Sequence, residues 1–587
     1  MLLAMVNRSK DNGKGSRVAL VRAMRALKGR VHFLLQEGRI AAPRNLDALP
    51  GLLDRFVIPM CYDEAGLSGR SWHPKVCLLR YRPVDSSMLK KGEPSFLWRL
   101  WLGSRNFTKD DSWDLALFLT SAGSRGSAIP GVRQVGERLA QAAHGAGATG
   151  MQSEWGSLLD ELDRVTWEVP RGVTIKDISL QLEPANTRRL PDLPAFPEQV
   201  IATAPFVDVG TLERLANSTG AAHRALISTL PSLESVTKTN GGVLENYSAL
   251  YALSPVSEDA LDVEDGDSGE HHDGDPESRG LHAKFLWAQY KERNILYLGS
   301  PNLTRRGWCS NAEIYAHIET TRDSAIAVAL VEGFEAFRQR CQRIELNTLK
   351  PASNATTVQD RLEKVRKEIA ARMGLRQRRD ASGTRVSAQE PPQLPTGVGL
   401  SVGRIGEPGT PWPDGAEYVQ LPVAGLERES ELLLLELACD GHSVRWLQSA
   451  AFDGGLSEDR DDAMVASYLS LSGLLDLFAD ELEPHGLPDV DRHPWDHPRT
   501  KKERQHEKAR LLGFSVESVM TAWRRAGKSG PEVVQRASKI LDLAKAQALA
   551  NTQAETADPD DAMLRRQLES LSLSWGAVQS ALGGSKK

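Results

Sequence analysis

Short apolar runs alternate along this chain with stripes of apolar residues three and four apart, the pattern of strands interleaved with helices. A helical stripe covers residues 17–28, and "VHFLL" (31–35) and "RFVIPM" (55–60) read as strands. "HPKVCLLRY" (73–81) and "LWRLWLGS" (97–104) follow as consecutive apolar strands, then helical patterns at 131–143 and 153–163. The order then restarts. "EQVIATAPFVDVGTLERLANSTGAAHRALISTL" (198–230) reads strand, helix, strand, and "LHAKFLWAQY" (281–290) with "NILYLGS" (294–300) forms a second strand pair, closed by a helix at 325–343. A pattern that repeats in this way is an internal duplication. Residues 353–380 suggest a charged helix, and 381–415, rich in Pro and Gly, suggest a linker. "AEYVQLPVAGLERESELLLLELACDGHSVRWL" (416–447) predicts strands of a small α+β module, with helices near 463–482, 502–525, 531–550 and 562–582.

The expected architecture is α/β: two tandem sheet-and-helix domains (1–170 and 171–345), a helix and linker (346–415), and a mainly helical accessory region (416–587) that could engage a protein partner. A length of 587 residues exceeds what one core fills. The five cysteines are scattered and never form a C-x-x-C pair, which argues against a disulfide framework and a structural zinc site. The opening "MLLAMV" is too short for a signal-peptide core, and no stretch approaches the ~18 apolar residues of a membrane span. The expected location is the cytoplasm, without a membrane partner.

Net charge refines this picture. The chain sums to −5, but residues 258–277 hold ten Asp/Glu and no Lys or Arg, so the remainder is net positive and compatible with a nucleic-acid partner. The acidic stretch has two histidines but lacks the order of a calcium loop and reads as solvated. "RTKKERQHEKARLL" (499–512) is basic on balance, suited to nucleic acid, to an acidic partner, or simply to solvent.

Aligning the two copies exposes the candidate chemistry. "LWLGSRNFT" (100–108) matches "LYLGSPNLT" (296–304), and each is preceded by His-x-Lys: His73 and Lys75, then His282 and Lys284. Arg70 and Arg279 each precede the His by three. The Lys-to-Gly interval is longer in the first copy by thirteen residues, the length of "PVDSSMLKKGEPS" (83–95), which reads as a polar hairpin insertion. Asp114 falls where Glu313 stands, although the two intervening loops differ by three residues. A single His-x-Lys carries almost no information. Two, each completed by Gly-Ser-x-Asn in duplicated surroundings, carry a great deal.

These residues resemble the two-motif members of the phospholipase D superfamily across about residues 17–345. The motif residues are His73, Lys75, Ser104 and Asn106, then His282, Lys284, Ser300 and Asn302. The family pattern H-x-K-x4-D has lost its Asp here, with Arg80 and Gln289 in its place, and in this the chain is similar to the tyrosyl-DNA phosphodiesterase branch. The resemblance implies tandem domains about a pseudo-twofold axis and phosphodiester cleavage through a phosphohistidine, with His73 as nucleophile and His282 as general acid.

The residues support that chemistry by themselves. Positions i and i+2 of a strand share a face, so each His projects with its Lys. Two imidazoles, two ammonium groups and the Asn amides converging on one phosphate would supply nucleophile, acid and charge stabilisation. No metal or cofactor is required. Asp114 and Glu313 are the candidates to hold an imidazole in one tautomer. Ser104, Ser300, Arg70, Arg279 and Arg305 are candidate substrate-binding residues, with Lys109 and Arg306 as weaker ones. Trp72, Trp101 and Trp308 are available for stacking or for the core. The leading expectation is a metal-independent nuclease or DNA-end-processing enzyme, by analogy one of a bacterial defence system. A phospholipid phosphodiesterase or transphosphatidylase, and a nucleic-acid-binding effector or scaffold activated by a partner, are the alternatives.

Overall fold

The computed structural model describes residues 14–42, 51, 53–62, 70–82, 96–106, 112–122, 126–146, 152–183, 190–191, 193–220, 223–253, 280–351, 357–482, 530–550 and 559–583. The polar insertion (83–95), the acidic stretch (258–277), the basic stretch (499–512), Lys109 and Arg279 lie outside them.

Two β-sheets carry the duplicated part. The first joins Val76–Tyr81, Leu97–Gly103, Ala116–Ala122 and Thr166–Trp167 in antiparallel sequence. Helices Val132–Gly145 and Gln152–Leu162 lie between its third and fourth strands. The second sheet has eight strands. Its parallel trio is Gln199–Thr203, His223–Ser228 and Ala249–Ala252, and Phe285–Gln289, Arg293–Gly299, Glu313–Thr321 and Val173–Gln181 extend it antiparallel. One hydrophobic core runs through both copies, from Trp98, Leu100, Leu102 and Leu119 to Phe285, Trp287, Leu296 and Leu298. The α/β class and the tandem sheet-and-helix units are as expected.

The second sheet is covered on its other face as well. Helix Val209–Thr219 begins where the Asp208 carboxylate accepts the Thr211 amide at 2.8 Å, and ends before Gly220. It packs Leu212 and Leu215, with Leu233 of helix Leu230–Asn240, over Leu286, Ala288 and Ile295. Each such buried leucine contributes about 1.5–3 kcal/mol, against about 1 for the cap, so packing fixes the helix and the cap only marks its start.

The C-terminal part departs from expectation. Residues 381–415 are not a linker but supply strands Gly383–Ser387, Gly399–Arg404 and Thr410–Trp412 of a further sheet. Its glycines punctuate turns: Gly397, Gly406 and Gly415 all sit at positive φ, where a Cβ is strained. The charged helix is shorter than predicted, Val358–Arg372, opened by a Thr357–Asp360 capping box and followed by strand Leu375–Asp380.

Residues ahead of the first motif also reach the C-terminal part. Helix Lys14–Leu27 inserts Val18 and Val21 among Leu474, Leu475, Phe478 and Trp575 of the C-terminal helices. Strand Ile40–Ala41 pairs with Leu447 and Trp446, and buried Arg460 meets buried Asp54 at 2.8 Å. The N-terminal segment therefore straps the first copy to the C-terminal module. Among the described residues no helix is long and apolar enough to cross a membrane.

Candidate active site

Each copy lends its motif to the other. Trp72 bridges Ala312 in parallel, and Leu281 bridges Trp113 in the same way. The His73 amide donates to the Ala312 carbonyl at 3.0 Å, and the His282 amide to the Trp113 carbonyl at 3.0 Å. Residues before each His-x-Lys thus pair with the segment that carries the other copy's acid, as a pseudo-twofold axis demands. The same symmetry closes each motif internally. Gly103 and Gly299 donate to the carbonyls of Lys75 and Lys284, and Ser104 and Ser300 to those of Leu115 and Ile314. A Cβ on Gly299 would stand 2.2 Å from the Ile314 carbonyl oxygen, so this close approach requires glycine.

His73 Nδ1 lies 2.9 Å from Glu313 Oε2 of the second copy. The carboxylate can only accept, so Nδ1 carries the proton and Nε2 keeps its lone pair. Glu313 is sealed at 1% side-chain exposure, whereas the imidazole keeps 30%, an open edge for substrate. Three donors hold the acid: His73 and the Ser300 hydroxyl on Oε2, and Asn311 Nδ2 on Oε1 at 3.1 Å. Asn311 Oδ1 in turn accepts the Ser71 amide at 3.1 Å, so this carboxamide joins the acid to the segment that leads into His73.

Lys284 Nζ lies 3.3 Å from His282 Nδ1 and donates to the His282 carbonyl at 2.9 Å and, across the copies, to the Ser104 carbonyl at 3.2 Å. When Lys284 is protonated it can only donate, and His282 Nδ1 then accepts and carries its proton on Nε2, the opposite arrangement to His73. Lys75 donates to the His73 carbonyl at 3.0 Å. Both lysines are buried, and burial pulls Lys75 down to about 8 and Lys284, which also feels the Lys75 charge, to about 7. Burial likewise holds His73 below its ordinary value, against the opposing pull of Glu313.

The other candidates fall into place around this cluster. Asp114 accepts the Ser104 hydroxyl and, at 2.8 Å, the Leu115 amide, with Arg105 Nε at 3.7 Å. Ser104 and Ser300 are fully buried with their hydroxyls donated to Asp114 and Glu313, so they clamp the acids. Arg70 donates to the carbonyls of Ser310 and Leu182, which makes it a tie between copies. Arg305 gives its backbone amide to Asp208 at 2.5 Å and leaves its side chain exposed. Asn106 is exposed beside the cluster. Asn302 keeps its carboxamide oxygen buried and without a partner among the described residues, and the backbone beside it is approached so closely that a Cβ on Gly307 would stand 2.6 Å from its carbonyl. Trp72 and Trp308 are core residues.

Asn311 carries no motif and was not among the candidates. Nor was Gln36, whose side-chain oxygen accepts the Trp72 amide at 2.5 Å. Their roles arise from contacts across 240 and 36 residues of chain, and no local spacing signals them.

No family model matches the chain, and no curated protein does. Among solved structures it is similar to a phosphatidylserine synthase of Haemophilus influenzae Rd KW20, at 10% identity and TM-score 0.32 over 63% of this chain and 91% of that one, a likeness too distant to bear on fold or chemistry.

Proposed function

We propose that the chain is a phosphodiesterase of the phospholipase D type that cleaves nucleic acid through a phosphohistidine on His73. The observation that carries this reading is that the two Nδ1 atoms face opposite groups, a carboxylate at His73 and an amine at His282. His73, its Nδ1–H on Glu313, presents a basic Nε2 to phosphorus, and His282, its Nδ1 accepting from Lys284, presents Nε2–H. Nε2 of His73 bonds to phosphorus as the leaving oxygen departs with the proton of His282. Lys284, brought to about 7 and so near the ordinary 6.5 of imidazole, can hand a proton to Nδ1 in the same step, which avoids an imidazolate. Lys75, Lys284 and the Asn side chains stabilise the phosphorane oxygens. Water then attacks phosphorus with His282 as base, breaks the P–N bond and frees His73.

Nucleic acid is the proposed substrate class because the chain outside the acidic stretch is net positive and because of the aromatic face described below. The test is parallel incubation of the purified full chain with labelled single-stranded DNA, duplex DNA, RNA and phospholipid vesicles, with and without EDTA. Cleavage of a nucleic acid that survives EDTA is expected, since imidazoles and ammonium groups take the metal's roles. Turnover of the vesicles alone would transfer the mechanism to a lipid substrate, and strict dependence on an added divalent ion would remove it.

A further inference from the structure

Among the described residues no hydrophobic cluster covers the outer face of the first sheet. Cross-strand register places Tyr81 opposite Leu97, Leu79 opposite Arg99, Cys77 opposite Trp101, and then Arg99 opposite Thr120 and Trp101 opposite Phe118. Tyr81 is 43% and Phe118 58% exposed. None of Leu79, Tyr81, Leu97, Trp101 and Phe118 belongs to a hydrophobic cluster of the described residues. In the second copy the equivalent face, with Leu286, Ala288, Ile295 and Tyr297, lies beneath two helices.

A merely greasy face would suit another protein, but this one has a cation at its centre. The Arg99 guanidinium lies 5.4 Å from the Tyr81 ring centroid and 5.8 Å from that of Phe118. Among the described residues it has no ion pair and no side-chain hydrogen bond, and its Nε is buried without a partner. A guanidinium flanked by exposed rings offers planar surfaces to bases and charge to phosphates. The same three strands end at the catalytic cluster: Val76 follows Lys75, Ser104 follows Gly103, and Asp114 lies two residues before Ala116. At ~3.3 Å per residue, strand Leu97–Gly103 runs about 20 Å away from the reacting phosphate, room for several bases.

We infer that the outer face of the first sheet, with Tyr81, Arg99 and Phe118, is a stacking track that holds unpaired nucleic acid leading into the active site. The inference rests on the proposed nucleic-acid reading and sharpens it to single strands. A duplex, with its bases already stacked, gains nothing from such a face.

The test compares the full chain with Phe118→Ala and Arg99→Gln on two substrates. One is a nitrophenyl thymidine phosphodiester, which reaches only the catalytic cluster, and the other a series of single-stranded DNA oligonucleotides of increasing length. For wild type, KM should fall with length and level off once the track is filled. Each variant should raise KM for the long oligonucleotides about ten-fold, leave their kcat unchanged, and leave the small ester unaffected. Phe118 is exposed, so its removal leaves the core intact. Length-independent KM, or unchanged KM in both variants, would overturn the track while the nucleic-acid reading stands. Turnover of the ester with no cleavage of any oligonucleotide would overturn both. Loss of vesicle binding or of self-association in Phe118→Ala, with oligonucleotide KM unmoved, would assign the face to a lipid surface or to a second copy instead.

Discussion

The two copies share a motif and its internal hydrogen bonds, yet they are finished differently. The second copy is enclosed on both faces, by the common core on one side and by its two helices on the other. Among the described residues the first has four strands, no hydrophobic cluster on one of its faces, and ties to the C-terminal module through Glu37, Ile40–Ala41 and Asp54. The acids differ as well. Glu313 reaches across to His73, while Asp114 accepts from Ser104 and Leu115 and lies near Arg105, all of its own copy. The two half-sites share their internal bonds, and their surroundings set His73 against a carboxylate of the other copy and His282 beside the amine of its own.

That asymmetry is most directly broken by exchanging the histidines for alanine. His73→Ala should lower turnover by about 10⁴ or more, since no other group supplies the P–N bond. His282→Ala, given a nitrophenyl phosphodiester whose leaving group needs no proton, should accumulate an acid-labile adduct on His73, visible by intact mass. An adduct on His282 in the His73→Ala protein would reverse the assignment.

The acids come next in size. Glu313→Gln leaves an amide that cannot fix the His73 tautomer and should cost about 10²–10³ in kcat, whereas Asp114→Asn should cost about ten-fold. Asn311→Ala should follow Glu313→Gln in direction with a smaller loss. Equal losses at Glu313 and Asp114 would mean that the copies act symmetrically.

Much of this site was legible beforehand, for a physical reason. His73 and Lys75, like His282 and Lys284, stand two apart, although just ahead of strands Val76–Tyr81 and Phe285–Gln289 rather than on them as the sequence suggested, and Glu313 opens strand Glu313–Thr321, so their spacing is recognisable. Arg70, Ser104 and Ser300 share that spacing but are occupied by carbonyls and carboxylates, and only their partners in space reveal it. Strands were legible in 416–447, but those of 381–415 were not, because the glycines and prolines of the turns between them outweigh strands as short as Thr410–Trp412. Helix Lys14–Leu27 was recognisable as a helix, but its docking on residues more than four hundred positions away was not.

The buried lysines give the comparison a pH signature. Lys284 at about 7 and Lys75 at about 8 lose their protons as pH rises, and with them the charge that receives phosphate. kcat/KM should therefore decline by up to ten-fold per pH unit above about 7 to 8. Lys75→Met removes the neighbouring positive charge that, after burial, holds Lys284 down, so the descending limb should move to higher pH even as the rate drops. A limb that stays in place would show that the two copies' ammonium groups do not sense each other.

The smallest effect probes the strap that supports the first copy. Glu37 is buried, accepts the Ser449 amide of the C-terminal sheet at 2.8 Å, and is raised by burial from the ordinary 4.5 to about 7. A folded-state value above the unfolded one means that the native protein binds the extra proton. Its contribution is thus complete below about pH 4.5 and is lost as pH rises through 7. At pH 8 the buried carboxylate is charged and costs at most about 3 kcal/mol, at 1.36 kcal/mol per pH unit. Gln keeps the acceptor for Ser449 without the charge, so Glu37→Gln should raise the urea midpoint at pH 8 and match wild type at pH 4.5. A lower midpoint at pH 8 would mean that a cation beside Glu37 already compensates it, and the strap would then be held by an ion pair rather than by a neutral hydrogen bond.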